Sequence, residues 1–422
     1  MLKASALYIV IVIALVIGLL CSSLIVVAYF YRLQYQRTFR QDRLQNNLNS
    51  GINILIAAPG DDLTNEKTFS LFGGEADSVS LKKTAWGLYD VGLSKSFIQK
   101  DSLYKAFLIA NAIDSTKWAA LYIIDEDRPL SVSGKTILKG DVYIAKAGVK
   151  GAYVDNKGYQ GDKRLVQGKI LNSNKELPSL NAGRLKRIEQ YFSQSGSINN
   201  DILRKDTLNN SFLTETYTAR FGKKVETLQN INLNGNIILF SDTTLTIENT
   251  AHLDNIMIFA KAIVVKSGFK GTCQLFATDS VSIGRDCVFN YPSSISVSRF
   301  QQSKTRSPML LNVGENTSIS GVLFTYDKYY DREKQALIDL GKNAAITGQV
   351  YSQGMLGLKD GIVIKGSVFT NRFLYQSSFT RYENYIINTT INSTALSPYY
   401  LGSDLIPVSA GEKKILQWLE TN

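Results

Sequence analysis

Three segments toward the C-terminal end superimpose without a gap: 313–325 (VGENTSISGVLFT), 340–352 (LGKNAAITGQVYS) and 358–370 (LKDGIVIKGSVFT). Each has an apolar residue, a second apolar residue six positions on, a glycine two further, and a short apolar-aromatic run. The second apolar positions are Ile319, Ile346 and Ile364, and the glycines are Gly321, Gly348 and Gly366. Weaker copies precede them, with the six-residue step running from Ile247 to Leu253, Ile263 to Phe269 and Ile283 to Phe289. Gly271 fills the glycine position in one copy and Asn255 in another, an exchange that suits a left-handed backbone. A strand of about five residues cannot bury its apolar side alone. If the chain coils, each turn sets Ile, Val or Leu above its counterpart in the turn below, and parallel pairing satisfies the backbone. The expected fold is mainly β: a β-helix-like solenoid over 229–387, with Ile319, Ile346 and Ile364 in one inward column.

The same phrasing occurs earlier, at Ile137 to Ile144, Val149 to Val154 and Leu165 to Ile170, and reads as the opening coils of that solenoid. In 183–192, Leu185, Ile188, Tyr191 and Phe192 fall on one helical side, so 136–228 is expected to hold the first coils plus a helical insertion resting on the solenoid. Residues 59–135, with alternation at 84–91 and 118–124, read as a β-rich cap. The polar run 326–336 is a loop thrown from a coil edge. Residues 388–422 are expected to cover the last coil, with Ile415, Trp418 and Leu419 on a short helix.

The other end of the chain has a different character. Residues 4–31 carry no charge, and 7–30 are dense in Ile, Val and Leu. About 20 apolar residues span the hydrocarbon core of a bilayer, and a secretory h-region stops near 15, so a retained transmembrane helix is expected. Tyr8, Tyr29, Phe30 and Tyr31 sit where interfacial aromatics belong. The three-to-four rhythm of Arg40, Leu44, Leu48, Ile52, Leu55 and Ile56 prolongs the helix until Pro59 and Gly60, giving an anchor and juxtamembrane helix over 1–58.

The short lead Lys3, Ala4, Ser5, Ala6, Leu7, the long apolar span and the extension ending in Asn49, Ser50, Gly51, Ile52 resemble the N-terminus of type IV minor pilins and pseudopilins. The chain has no Gly-then-aromatic processing site and no acidic residue early in the apolar span. The resemblance implies a membrane-held subunit in contact with copies of itself or other proteins through the helix. Arg32, Arg37, Arg40 and Arg43, counted alone, would hold the large domain in the cytoplasm. Pilin-like subunits export such a domain regardless, and a single-pass protein of the bacterial inner membrane with an extracytoplasmic domain is the expectation. The repeat style also resembles bactofilins, whose β-helices polymerise.

No catalytic, cofactor-binding or metal-binding residues are identified, and no cofactor is expected. His252 is the only histidine and there is no CxxC pair among Cys21, Cys273 and Cys287, so a Cys/His zinc site has nothing to be built from. Cys273 and Cys287 are either buried thiols or a pair brought together by neighbouring coils. His252, next to Leu253, should point outward if Leu253 points inward. Asp61, Asp62, Asp125, Glu126 and Asp127 precede the repeats, while Asp242, Asp254, Asp279 and Asp286 share no register. The net charge of +11 is spread along the chain without interleaved stacking aromatics, so nucleic acid is not an expected partner. The expectation is a non-enzymatic structural or assembly component of the cell envelope, with the lipid bilayer and other proteins as partners. A polysaccharide-binding or adhesive surface using outward tyrosines is the first alternative, and a carbohydrate-active enzyme the second.

Overall fold

The computed structural model describes residues 2–58, 62–71, 77–113, 118–194, 206–302, 307–377, 380–406 and 412–421. Pro59, Gly60 and Asp61 lie outside them. The chain forms two compact units: Met1–Lys83 with Gly92–Lys105 and Thr421–Asn422, and Thr84–Val91 with Ala106–Glu420.

The first unit is organised by helix α1, Leu2–Ala57, which is unbroken over 56 residues. Leu44, Leu48, Ile52 and Leu55 are buried, as their spacing requires, and lie on the strand segments around Val79, Leu81 and Ser94. The Ser96 hydroxyl donates to the Leu44 carbonyl (2.8 Å) and the Ser94 hydroxyl to that of Leu48 (3.3 Å). Gly51 permits the approach: a Cβ there would stand 2.6 to 2.9 Å from Ser94 Oγ, Leu81 and Val79. Gly51→Val is expected to cost about 1–3 kcal/mol in a denaturation experiment, through overpacking.

The second unit is the solenoid, a stack of parallel coils in register. Ile319, Ile346 and Ile364 do form one column, within a longer ladder of Leu208, Leu233, Leu253, Gly271, Phe289, Ile319, Ile346, Ile364, Ile391 and Leu138. A second ladder runs Leu228, Ile247, Val265, Ile283, Val313, Leu340 and Leu358, and from Ile247 on each member begins the six-residue step. The frame expected around 263–269 shifts by two residues. Val265 and Gly271 occupy the two columns there, and the Phe269 ring, fully buried, fills the space left by Gly271.

Within the step the third residue takes a left-handed backbone at Gly268, Asp286, Asn316, Asn343 and Gly361 (φ between 54° and 83°). The Asn343 amide donates to Asn316 Oδ1 and the Asn316 amide to Asp286 Oδ1, both at 3.2 Å, so the corner is a side-chain ladder as well. Asn343→Gly should be close to neutral. Asn343→Ala should lose about 1–2 kcal/mol by denaturant titration, since a Cβ without a local hydrogen bond disfavours that backbone. Asn255 is also left-handed (φ 55°), as its place in the repeat implied.

The early coils are not at the opening of the stack. Ala119–Ile123 pairs in parallel with Val368 to Thr370, Asp141–Ile144 pairs with Ala119–Ile123, and Ile170–Asn172 pairs with Asp141–Ile144. Ile137–Lys139 likewise stacks on Thr390–Asn392, which stacks on Val363 to Lys365. One inward ladder therefore reads Ala219, Leu239, Ile258, Leu275, Ile295, Leu323, Val350, Val368, Leu121, Val142 and Ile170. It crosses from residue 368 back to 121 without a change of register. Residues 118–172 finish the end that the C-terminal repeats leave open, and 206–228 form the opposite end. Residues 118–135 accordingly belong to coils rather than to a separate cap. Residues 390–392, expected in the covering segment that starts at 388, belong to a coil as well.

The C-terminal helix is corrected too. Lys413–Thr421 is a strand paired with Asp101–Ala112. Trp418 packs edge-on against Phe107 (5.5 Å), and the Glu420 carboxylate accepts from Ser211 Oγ and the Phe212 amide. The expected helical insertion is α2, Ala182–Ser193, capped by Asn181, whose side chain accepts from the Gly183 and Arg184 amides. Leu185 and Ile188 are buried, and the Tyr191 and Phe192 rings lie 5.0 and 5.2 Å from that of Phe259.

Candidate functional site

The acidic residues noted in the sequence do not converge. Asp242 pairs with Arg220 at 3.5 Å, Asp279 with Lys261 at 3.8 Å, and Asp286 accepts from Asn316. Asp62, Asp127 and Asp254 are exposed. Among the described residues, no three of the His, Cys, Asp and Glu side chains come together as metal ligands. His252 points outward beside inward Leu253. Cys273 and Cys287 are buried free thiols, not a pair, and burial pushes both thiols up, which leaves them unreactive.

Concave geometry appears elsewhere in the second unit, beside the loop 326–336. A cleft of about 530 Å³ is lined by Tyr326, Tyr330, Arg332 and Gln335 from the loop side, by Tyr351, Gln353 and Asn371 from the coils, and by Glu126 and 175–185. That volume is in the range of small-molecule sites. Thr325, Ser352, Thr370 and Ile123 pair in register on successive coils, and each is followed by a residue of the cleft: Tyr326, Gln353, Asn371 and Ile124. The floor residues thus follow, one per coil, a row with the strand spacing of about 4.8 Å, and the pairing itself shifts register just beyond Ser352.

The groups are held in place. The Asn371 amide donates to the Tyr330 hydroxyl (2.9 Å), and Gln353 Oε1 accepts from the Asp327 amide (2.6 Å). The Tyr351 hydroxyl donates to the Pro178 carbonyl (3.1 Å), and Gln335 Nε2 to the Arg332 carbonyl (3.0 Å). Glu126 is clamped by Arg372, whose Nε and Nη2 reach its two oxygens at 2.5 and 2.8 Å. Burial raises the pKa of Tyr326, Tyr330 and Tyr351, so all three keep their hydroxyl protons through the physiological range. Sequence reasoning placed this run as a loop thrown from a coil edge; the pairing of Tyr330 with Asn371, forty-one residues away, carries no local signal.

Below α2 is a structural ion cluster. Arg184, almost fully buried, donates to Asp90 (2.9 Å), to both oxygens of Asp404 (2.7 and 3.1 Å) and to the Tyr89 carbonyl (2.8 Å). Burial works against its charge, and Asp90 and Asp404 more than offset this, raising its pKa above the usual range.

No protein-family model matches this chain, and no curated protein matches it. Among solved structures it aligns with the crystal structure of the competence-associated pilin ComZ from Thermus thermophilus. The alignment covers 87% of this chain and 89% of that one, at 10% identity and a TM-score of 0.26. That score is too low to equate the two folds.

Proposed function

We propose that the protein is a membrane-held, non-enzymatic structural subunit of a bacterial cell envelope, pilin-like in plan, serving a pilus or secretion machine. The observation that carries this reading is α1. Its large apolar residues from Leu7 to Tyr31 are exposed on every side, whereas Leu44, Leu48, Ile52 and Leu55 are buried in the first unit. Among the described residues α1 is the one helix long and apolar enough to cross a membrane. A helix apolar all round is stable where lipid or other apolar helices surround it. At 1.5 Å per residue, 6–31 extends about 39 Å, enough for a hydrocarbon core of about 30 Å. Because the helix continues unbroken into its docked half, it is suited to hold the attached domain at a set distance from the bilayer and to lie beside other subunits.

Two readouts on the full chain in membranes test this. Protease added to intact spheroplasts should remove the β-rich units and leave the anchor in the membrane pellet. Recovery in the soluble fraction, or full protection of the domain, would overturn the reading or its orientation. Cys21, exposed on α1, should give a disulfide-linked dimer under mild oxidation, lost in Cys21→Ser. Failure to cross-link would remove lateral self-association through the helix.

A further inference from the structure

We infer that the cleft beside loop 326–336 is a binding site for a neutral saccharide, read as a short stretch of an extended glycan. Three features point to this class. First, the cleft combines aromatic rings with planar amides: Tyr326 and Tyr330 beside Gln335, Gln353 and Asn371. Aromatic faces cover the C–H side of a pyranose while amides, which both donate and accept, satisfy neighbouring hydroxyls.

Second, hydrogen-bonding capacity is left over. Gln335 Oε1 is buried in the cleft wall with no partner among the described residues, while its Nε2 is held by the Arg332 carbonyl. A buried acceptor left unpaired costs about 1–3 kcal/mol, and a ligand hydroxyl would relieve it. The Tyr330 hydroxyl accepts from Asn371, which leaves its own proton for an acceptor.

Third, charge and spacing select the ligand. The charges that line the cleft cancel, Lys175 and Arg332 against Glu126 and Glu176, and Arg372, which clamps Glu126, is itself paired with Glu383, so the walls do not favour a polyanion. The floor residues recur once per coil, each next to a paired row with a step of about 4.8 Å, comparable with the length of one sugar unit in an extended chain. A solenoid presents such a row as a consequence of its winding, and loop 326–336 closes one side of it.

The test uses the full chain in phosphatidylcholine nanodiscs, because glycoside detergents would compete. Cellotriose, maltotriose and triacetylchitotriose are titrated calorimetrically, with trigalacturonate as the anionic comparison. At least one neutral trisaccharide should bind with Kd below about 1 mM, and trigalacturonate more weakly. Tyr330→Ala and Gln335→Leu should each weaken binding by about tenfold, and Tyr330→Phe by less, with unchanged thermal unfolding. The inference is overturned if no neutral trisaccharide binds at about 10 mM, if trigalacturonate binds more tightly, or if folded Tyr330→Phe and Gln335→Leu proteins bind as the parent does. None of these results depends on which side of the membrane the domain occupies or on assembly through α1.

Discussion

Arg184→Leu should destabilise the solenoid unit by about 3 kcal/mol, a large loss for a single polar substitution. Arg184 and Asp90 are both about nine-tenths buried or more, and removing one member of a buried pair leaves the other charge without compensation. The loss stays at the lower end of the usual 3–5 kcal/mol because Arg187 still reaches Asp90 at 3.2 Å and Asp404 is partly solvated. The Tyr89 carbonyl also loses a donor. Asp90→Asn should cost less, since Asp404 keeps both of its bonds to Arg184. The pair Arg184→Met with Asp90→Asn should recover part of the loss, because no buried charge is left over. Guanidinium denaturation followed by tryptophan fluorescence measures this well: Trp86, Trp118 and Trp418 all belong to the second unit.

Leu121→Ala should cost about 2–5 kcal/mol. Leu121 is fully buried, with Val368 on one side of its ladder and Val142 on the other. The neighbouring coils are locked by backbone pairing and cannot collapse into the gap. The same truncation at Ile170, 54% exposed at the end of that ladder, should cost under 1 kcal/mol. If the two substitutions cost the same, residues 118–172 do not continue the stack.

The repeats were legible in the sequence because most corners, from Gly268 to Gly361, need a specific residue. A left-handed residue three positions into the step selects Gly, Asn or Asp, and inward columns select Ile, Val, Leu or Phe on either side of it. The six-residue rhythm follows from those two demands, and so does the inward facing of Leu253 beside outward His252. Around 263–269 the rule failed because Phe269 and Gly271 exchange roles, one large side chain filling the place of its neighbour. The order of the coils was not legible. Nothing near Leu121 or Leu138 records that their partners are Val368 and Ile391, since pairing at such separation leaves no periodic trace. The C-terminal strand was misread for a related reason: Ile415, Trp418 and Leu419 fit a helical face, but Lys413–Thr421 has a strand edge to pair with, and Phe107 receives Trp418. The cleft was hidden because its row consists of single residues from four separate coils.

Winding one solenoid from two distant stretches of chain is the claim that most needs a direct test. Lys139 and Asn392 are opposite each other on adjacent parallel strands. Neighbouring strands are about 4.8 Å apart, within the Cα separation that a disulfide spans. The double variant Lys139→Cys/Asn392→Cys should form an intramolecular disulfide on mild oxidation, seen as a mobility shift reversed by reductant. Had residues 136–172 opened the stack instead, Lys139 would face the coil at Asn209. Cross-linking of Lys139→Cys/Asn209→Cys, with the first pair remaining reduced, would contradict the account.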